Sequence, residues 1–297
     1  MKIAYCILAH ENKEHLKRLV ASLRSHENPE AHFFLHIDKK SSLRVTAEEL
    51  PDVEHVPAVE VHWGGFSMVD AALNLFQAAM EKGPFDYYVL ISGVDYPIRS
   101  NAFINNFFAK NVGANFMNVV KMPGNGKTMD RVQFPYIQGA DRTKGFVAFT
   151  KKVINKVVRV LNIRNSLPAE YKNIQFYGGS SWVTYSHEGL RYTLEYAKAN
   201  PKFNAFFRHT KHPDEMYFQT ILMNSPLAET QKNAIIYASW KEGAASPDII
   251  TSENLKEIRQ SEVPTSYGIS TPLFARKFHQ QSTELLNEID LIRKEIQ

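Results

Sequence analysis

The first 38 residues constrain the fold more than any other stretch. "KIAYCIL" is a continuous apolar run of strand length, the pattern of a strand buried on both faces. "ENKEHLKRLVASLRS" follows, with Leu16, Leu19, Val20 and Leu23 on one helical face. "AHFFLHID" then returns to strand character and ends in polar residues. A strand, a helix and a second strand in this order predict two parallel neighbours joined by a right-handed crossover. Ligands of such sheets bind beyond the carboxyl ends of the strands, which here are "AHENKE" and "HIDKK".

The rest of the chain continues in the same manner. "HWGGFSMVDAALNLFQAAMEKG" carries Met68, Ala72, Leu75 and Ala79 at helical spacing, and Ser67 with Asp70 reads as a capping box. "DYYVLISGVDYPIRS" is a buried strand over 86–92 that runs into glycine, aspartate and proline. Residues 122–146 lack periodicity and read as a long loop, the kind that carries function. "IQFYGGSSWVTYS" reads as strand, glycine turn and strand, "HEGLRYTLEYAKAN" as a helix, "NAIIYASW" as a strand and "STELLNEIDLIRKEI" as a terminal helix. No repeat, low-complexity tract or linker divides the 297 residues. The expectation is one α/β domain over 1–297, with a mostly parallel central sheet flanked by helices.

Bulk properties exclude several classes. At 22% charged and 44% hydrophobic, the chain has the composition of a folded protein. A net charge of +4 lacks the concentrated basicity of a nucleic-acid binder. Cys6 is the single cysteine and lies in an apolar run, so it is expected to be a small buried hydrophobe. No stretch approaches the ~18 apolar residues of a bilayer span. The start resembles no signal peptide. A cytoplasmic protein is expected.

The chemistry concentrates in "HTKHPDEMYFQTIL", residues 209–222. A metal site built on His209, His212, Asp214 and Glu215 is disfavoured, because Pro213 interrupts the helix that would align the ligands. A hydrolytic pair of Asp214 and Glu215 is disfavoured too, since adjacent side chains diverge by about 100° on a helix. A second carboxylate from elsewhere, such as Asp95, could still complete a pair, but a single base fits the local physics better. Pro213 suits a first helical position, and acids in the first turn face free N–H groups and the positive end of the dipole. Read from these residues alone, simple complementation of the dipole is preferred over catalysis.

Seven segments alter that balance. "YCILAH", "FLHIDKKS", "VHWGGFSMVDAALNLFQAAM", "YYVLISGVDYPIRS", "FYGGSSWVTYS", "HPDEMYFQTIL" and "LFARKF" occur in this order. The chain resembles the core-2/I-branching β-1,6-N-acetylglucosaminyltransferase and xylosyltransferase family, glycosyltransferase family 14, over residues 3 to 278. The resemblance implies a GT-A-like, Rossmann-related fold, with a nucleotide-binding part at about 1–120 and an acceptor and catalytic part at about 121–297. It implies inverting transfer of a sugar, GlcNAc or xylose, from a UDP-sugar to a glycan hydroxyl. No cofactor or divalent metal is expected; a bacterial-type member is.

Carried over residue by residue, the resemblance makes Glu215 the general base. Arg276 and Lys277 become the diphosphate clamp and Asp38 a uridine contact. Gly179, Ser180 and Trp182 become the donor-sugar turn, and Trp240 an acceptor-stacking tryptophan. Asp95, at a strand's carboxyl end, is a candidate for binding acceptor hydroxyls, with an ordinary turn aspartate as the equal alternative. Trp63 is expected in packing. These residue types suit the reaction. A positioned carboxylate taking a hydroxyl proton contributes typically ~10²–10⁴-fold. The leaving diphosphate needs positive charge, no Asp-x-Asp metal motif occurs in this chain, and fixed cations can supply that charge. Without the resemblance, Arg276 and Lys277 read as a solvated surface pair. The branching enzymes also use an arginine upstream of the clamp; the segment here reads "EGAASPDII", which throws the expected task onto Arg276 and Lys277.

Two alternatives accompany this reading. The first is a glycan-binding protein on a transferase fold without catalysis. The second concerns the basic amphipathic segment 147–164, where Lys151, Lys152, Lys156, Arg159 and Arg164 accompany Val153, Ile154, Val157, Val158 and Leu161. A helix packed on the core with a solvated cationic face is preferred. Contact with the inner face of a membrane, near lipid-linked glycan acceptors, is the alternative.

Overall fold

The computed structural model describes the whole chain except residues 25–28, 142–144, 242, 245 and 296–297. Parts of the expected first and last helices, of the long loop and of the "EGAASPDII" segment therefore lie outside the described residues. In chain order the first elements are β1 (Ile3–Ala9), α1 (Lys13–Leu23), β2 (Ala31–Ile37), β3 (Val53–His55), α2 (Ser67–Lys82), β4 (Tyr87–Ser92) and α3 (Asn101–Lys110). The short α4 (Asp130–Gln133), α5 (Phe146–Val160), α6 (His187–Ala199), α7 (Pro201–Phe207) and α8 (Tyr217–Met223) follow. The chain closes with the helix Thr283–Glu295.

β1, β2, β3 and β4 form the parallel half of a seven-stranded sheet, with β1 between β2 and β4. Beyond β4, Thr184–Ser186 runs antiparallel, followed by Asn115–Phe116 and the edge strand Gln231–Lys232. This is the expected class: α/β, with a mostly parallel sheet between helices. The continuous apolar run of β1 has a direct cause. Ile3, Tyr5 and Ile7 enter one core with Leu16, Leu19, Val20 and Leu23 of α1. Ala4 and Cys6 enter the other with Val69, Ala72, Leu75 and Phe76 of α2. A strand covered on both faces has no polar side.

Three local expectations are corrected. Ser67 and Asp70 do not form a capping box. Phe66 occupies the cap of α2 without a side-chain bond, Ser67 Oγ accepts from the amide of His62, and Asp70 pairs with Arg208 through two contacts of 2.8 Å. The 122–146 loop contains α4 and the short strand end Val120–Lys121 leads into it. The basic helix is present as α5, but its apolar residues do not face the core. Ala148 is its only buried residue. The small and polar side of the helix packs inward, with Asn155 bonded to both backbone groups of Ile137, and this turns the valines and phenylalanines outward.

A second, three-stranded sheet positions the other half of the site. Phe274–Arg276 pairs parallel to Ile236–Ala238 and antiparallel to Tyr96–Pro97, just after β4. The register sets Ala275 opposite Tyr96 and Ala238 opposite Arg276. Residues nearly 180 positions apart in sequence thus meet beside the carboxyl end of the main sheet.

Candidate active site

Asp38 and Asp95 follow the carboxyl ends of β2 and β4, as the topology predicts. The amide of Asp38 donates to Ala9 at the end of β1 (3.0 Å). Its Oδ1 accepts from the amides of Lys40 (3.0 Å) and Val61 (3.2 Å). These bonds fix a half-buried carboxylate at the mouth of the parallel strands, where the resemblance implies a uridine contact.

Asp95 has a different setting from the one expected of an acceptor contact. It is 0% exposed. The amide of Ser92 donates to Oδ2 at 2.8 Å and the Ser92 hydroxyl to Oδ1. The Arg276 guanidinium stands 3.4 Å from Oδ1. In this structure the contacts of the buried carboxylate are with Ser92 and Arg276, and it holds the latter in place. Burial pushes the Asp95 carboxyl above its ordinary value and the Arg276 guanidinium below its own, and their attraction offsets only part of either effect.

Arg276 is therefore not a solvated surface residue. Its side chain is 14% exposed, and its guanidinium lies 4.0 Å from the centre of the Trp182 ring. Lys277 is half-buried next to it, and its carbonyl accepts from the amide of Ile250 (2.9 Å). Trp240 lies two residues past Ala238, which is opposite Arg276 in register. At 56% exposure, Trp240 presents a flat apolar surface from the same small sheet.

Glu215 lies in the 3₁₀ turn Pro213–Glu215, not in the first turn of α8. His212 enters this turn at φ 54, and Met216, at φ −141, breaks the chain direction before α8 begins. The expected anchor is present: Phe218, Ile221 and Leu222 are all buried. The expected electrostatics are not those of a helix dipole. Lys127 Nζ is 2.6 Å from Glu215 Oε2, and Arg131 Nη1 makes a second ion pair to the same oxygen. Burial alone would raise the Glu215 pKa, but these two cations outweigh it and hold the carboxyl below its ordinary value. Both contacts fall on Oε2; Oε1 takes part in neither.

Asp214 responds in the opposite sense. It is buried beside Glu215, and its pKa is pushed up to about 6 by desolvation and by the neighbouring charge, against a 2.6 Å hydrogen bond from Ser181 Oγ. The two acids of "PDE" are thus driven apart, one kept ionised and one pushed toward neutrality. His212 leans against the Trp63 ring (4.5 Å between centres), which places Trp63 in packing as expected. Among the described residues no three His, Cys, Asp or Glu side chains gather as a metal-ligating group. His209, His212, Asp214 and Glu215 accordingly do not form one.

The "GGSSW" turn ties these parts together. Gly179 N donates to the carbonyl of Glu215 (2.8 Å), and the Ser180 carbonyl accepts from Gln219 Nε2 of α8 (2.7 Å). Ser181 reaches Asp214, and Trp182 lies under Arg276. A Cβ on Gly179 would fall 1.7 Å from the Asn118 carbonyl oxygen, so the close approach of these backbones requires glycine. Four consecutive residues thereby join the turn that carries Glu215 to the buried arginine.

Lys127 and Arg131 escaped the sequence reading. They sit four residues apart in an aperiodic stretch, and no spacing links them to residue 215. Their only signal was that a long loop of this kind tends to be functional.

A family model described as Core-2/I-Branching enzyme matches residues 3–262. The chain belongs to that family. Xylosyltransferase 2 of Rattus norvegicus is 25% identical, with 97% of this chain and 33% of that protein covered. Xylosyltransferase 1 of Homo sapiens is 22% identical, with 98% and 30% covered. This family member thus spans about a third of the length of the curated relatives it matches. Among solved structures, S. aureus TarS 1–349 is 10% identical at a TM-score of 0.33, covering 77% of this chain and 68% of that one.

Proposed function

We propose that this chain is an inverting glycosyltransferase that moves a sugar from a UDP-sugar to a glycan hydroxyl, with Glu215 as the general base. Membership of the Core-2/I-branching family supports the reaction class, and its xylosyltransferase relatives support xylose as the sugar, with GlcNAc the other sugar the sequence resemblance implies. The observation that carries the assignment of the base is the state of Glu215: ionised, fixed by its Oε2 atom, with Oε1 outside both ion pairs.

In this reading the acceptor hydroxyl gives its proton to Glu215 as its oxygen bonds to the anomeric carbon. The bond from that carbon to the β-phosphate oxygen breaks on the opposite face, and UDP leaves with the electron pair. Positive charge near the C-terminus stabilises the diphosphate without a divalent ion. Arg276, held against Asp95, and the adjacent Lys277 supply that charge. Asp38 seats the uridine, the Gly179–Trp182 turn lines the donor sugar, and the exposed Trp240 ring covers the C–H face of an acceptor pyranose.

The rival is a glycan-binding protein without catalysis, and one observation favours it: a carboxylate held between a lysine and an arginine is a weakened base. The transferase reading answers that acceptor hydroxyls binding Lys127 and Arg131 loosen the clamp as substrate arrives. Turnover of a UDP-sugar decides between them. Glu215→Gln is expected to lose at least ~10² in turnover while keeping its affinity for UDP. Full turnover in that variant would remove Glu215 from the role, and saccharide binding with no UDP release from any donor would establish the rival. Activity should persist in excess EDTA; loss restored by Mn²⁺ would overturn the metal-free reaction.

Contact with a membrane surface and an acceptor anchored there complete this reading. The exposed apolar face of α5 supports the surface contact.

A further inference from the structure

The outer face of α5 is apolar and open. Phe146, Phe149, Val153, Val157 and Val160 follow one another at steps of three and four, which sets them in a single stripe along the helix. Their exposures are 81%, 63%, 42%, 45% and 75%. Leu161 and Ile163 prolong the exposed surface past the helix end. The helix is attached by its other side, through buried Ala148 and the Asn155–Ile137 bonds. Contiguous exposed apolar surface of this kind marks an interaction site.

Charge selects the occupant. From residue 142 to residue 169 the sequence contains no Asp or Glu, while lysine and arginine recur throughout. Lys152 and Lys156 flank the stripe, exposed, and make no ion pair among the described residues. Beneath them lies a hollow of about 240 Å³ lined by Lys152, Lys156, Arg159, Lys211 and the ring of Tyr136, with one acid, Asp141, paired to Lys211 at 3.0 Å, so the cations outnumber the acid four to one. A protein partner matching an apolar stripe needs no such cations around it. An anionic lipid surface needs both: apolar side chains entering the acyl boundary, and lysines reaching up to the phosphates.

We propose that α5 is an in-plane docking helix for an anionic phospholipid bilayer, with the basic hollow receiving lipid phosphate. The placement bears on the candidate active site. Arg159 pairs with Asp130 of α4 at 3.8 Å, and the next residue of α4 is Arg131, which contacts Glu215. A docked α5 therefore holds the turn of Glu215 next to the lipid surface. The docking itself does not depend on the transferase reading, because vesicle binding needs no sugar donor.

The test is co-sedimentation of the full chain with vesicles of phosphatidylcholine alone and of phosphatidylcholine with phosphatidylglycerol. Binding should be at least about tenfold tighter to the anionic vesicles and should weaken with salt. The triple variant Phe146→Ser, Phe149→Ser, Val160→Ser changes only exposed positions, so its melting temperature should match the parent while vesicle binding falls at least about tenfold. Lys152→Glu with Lys156→Glu should lose the preference for phosphatidylglycerol. Equal binding to both vesicles, no binding by the parent chain, or unchanged binding by the triple variant would overturn the proposal. So would a dimer in sedimentation that the triple variant abolishes while vesicles go unbound. UDP-sugar turnover in detergent-free buffer, measured alongside, separates failure of the docking from failure of the enzyme assignment.

Discussion

The amide of Gly179 donates to the carbonyl of Glu215 across 2.8 Å, and this single bond seats the candidate base on the turn that also carries Trp182. Through Trp182 the same turn reaches Arg276. The acid and the cation of the proposed reaction are therefore linked through one four-residue turn rather than placed by two independent loops. Such pre-set geometry is what a displacement with separated base and leaving group requires.

That turn is sensitive to one methyl group. Gly179→Ala should be destabilised by about 2 kcal/mol or more, because its Cβ has no room against the Asn118 carbonyl and backbone must shift. Denaturant unfolding would show the loss, and turnover should fall with it as Glu215 moves.

The two cations on Glu215 make a prediction with a definite sign. They hold its pKa down, so removing either one raises it. In Lys127→Met and Arg131→Met the acidic limb of the kcat/KM profile should move to higher pH. The stabilising share of these pairs is present above the ordinary glutamate pKa and is lost as pH falls through the depressed value. The variants should therefore differ most from the parent in stability near neutrality and converge with it in acid. An unmoved acidic limb would dissociate the pairs from the catalytic acid.

Arg276 and Lys277 should separate cleanly. Arg276→Ala leaves Asp95 buried without its cation, which costs about 3 kcal/mol or more when one partner of a buried pair is removed. Lys277→Ala should cost less stability than Arg276→Ala, whose loss strands a fully buried carboxylate. Its UDP affinity should fall at least about tenfold if it meets the diphosphate. Calorimetric titration with UDP, with melting curves alongside, measures both.

Asp214 gives the opposite pH signature to Glu215. Its raised pKa means that the folded chain keeps a proton that the unfolded chain releases, so wild-type stability falls as pH rises from the ordinary aspartate value to about 6. Asp214→Asn lacks this dependence. The variant should gain on the parent by on the order of 1 kcal/mol across that window and hold the gain above it.

The sequence could specify whatever depends on periodicity or on local order. β1, with its alternate residues committed to two cores, could be read because a doubly covered strand must be apolar throughout. The helices His187–Ala199 and Thr283–Glu295, the strand–turn–strand of "GGSSW" and the burial of Phe218, Ile221 and Leu222 followed from spacing in the same way. The order of the family segments was also a linear property, and it pointed to the family whose model matches residues 3–262.

What remained hidden depends on which surfaces meet. A pattern shows that α5 has an apolar face but not which side the rest of the chain covers; the polar side is covered, and the stripe is left outside. No local signal shows that Asp95 will be sealed under Arg276, since that follows from the pairing of Tyr96–Pro97 with Phe274–Arg276. Nor does any signal predict that Lys127 and Arg131 close on Glu215 across more than 80 residues. Linear sequence encodes propensity and phase. Electrostatic environment arises from approach in space, and only the folded chain sets it.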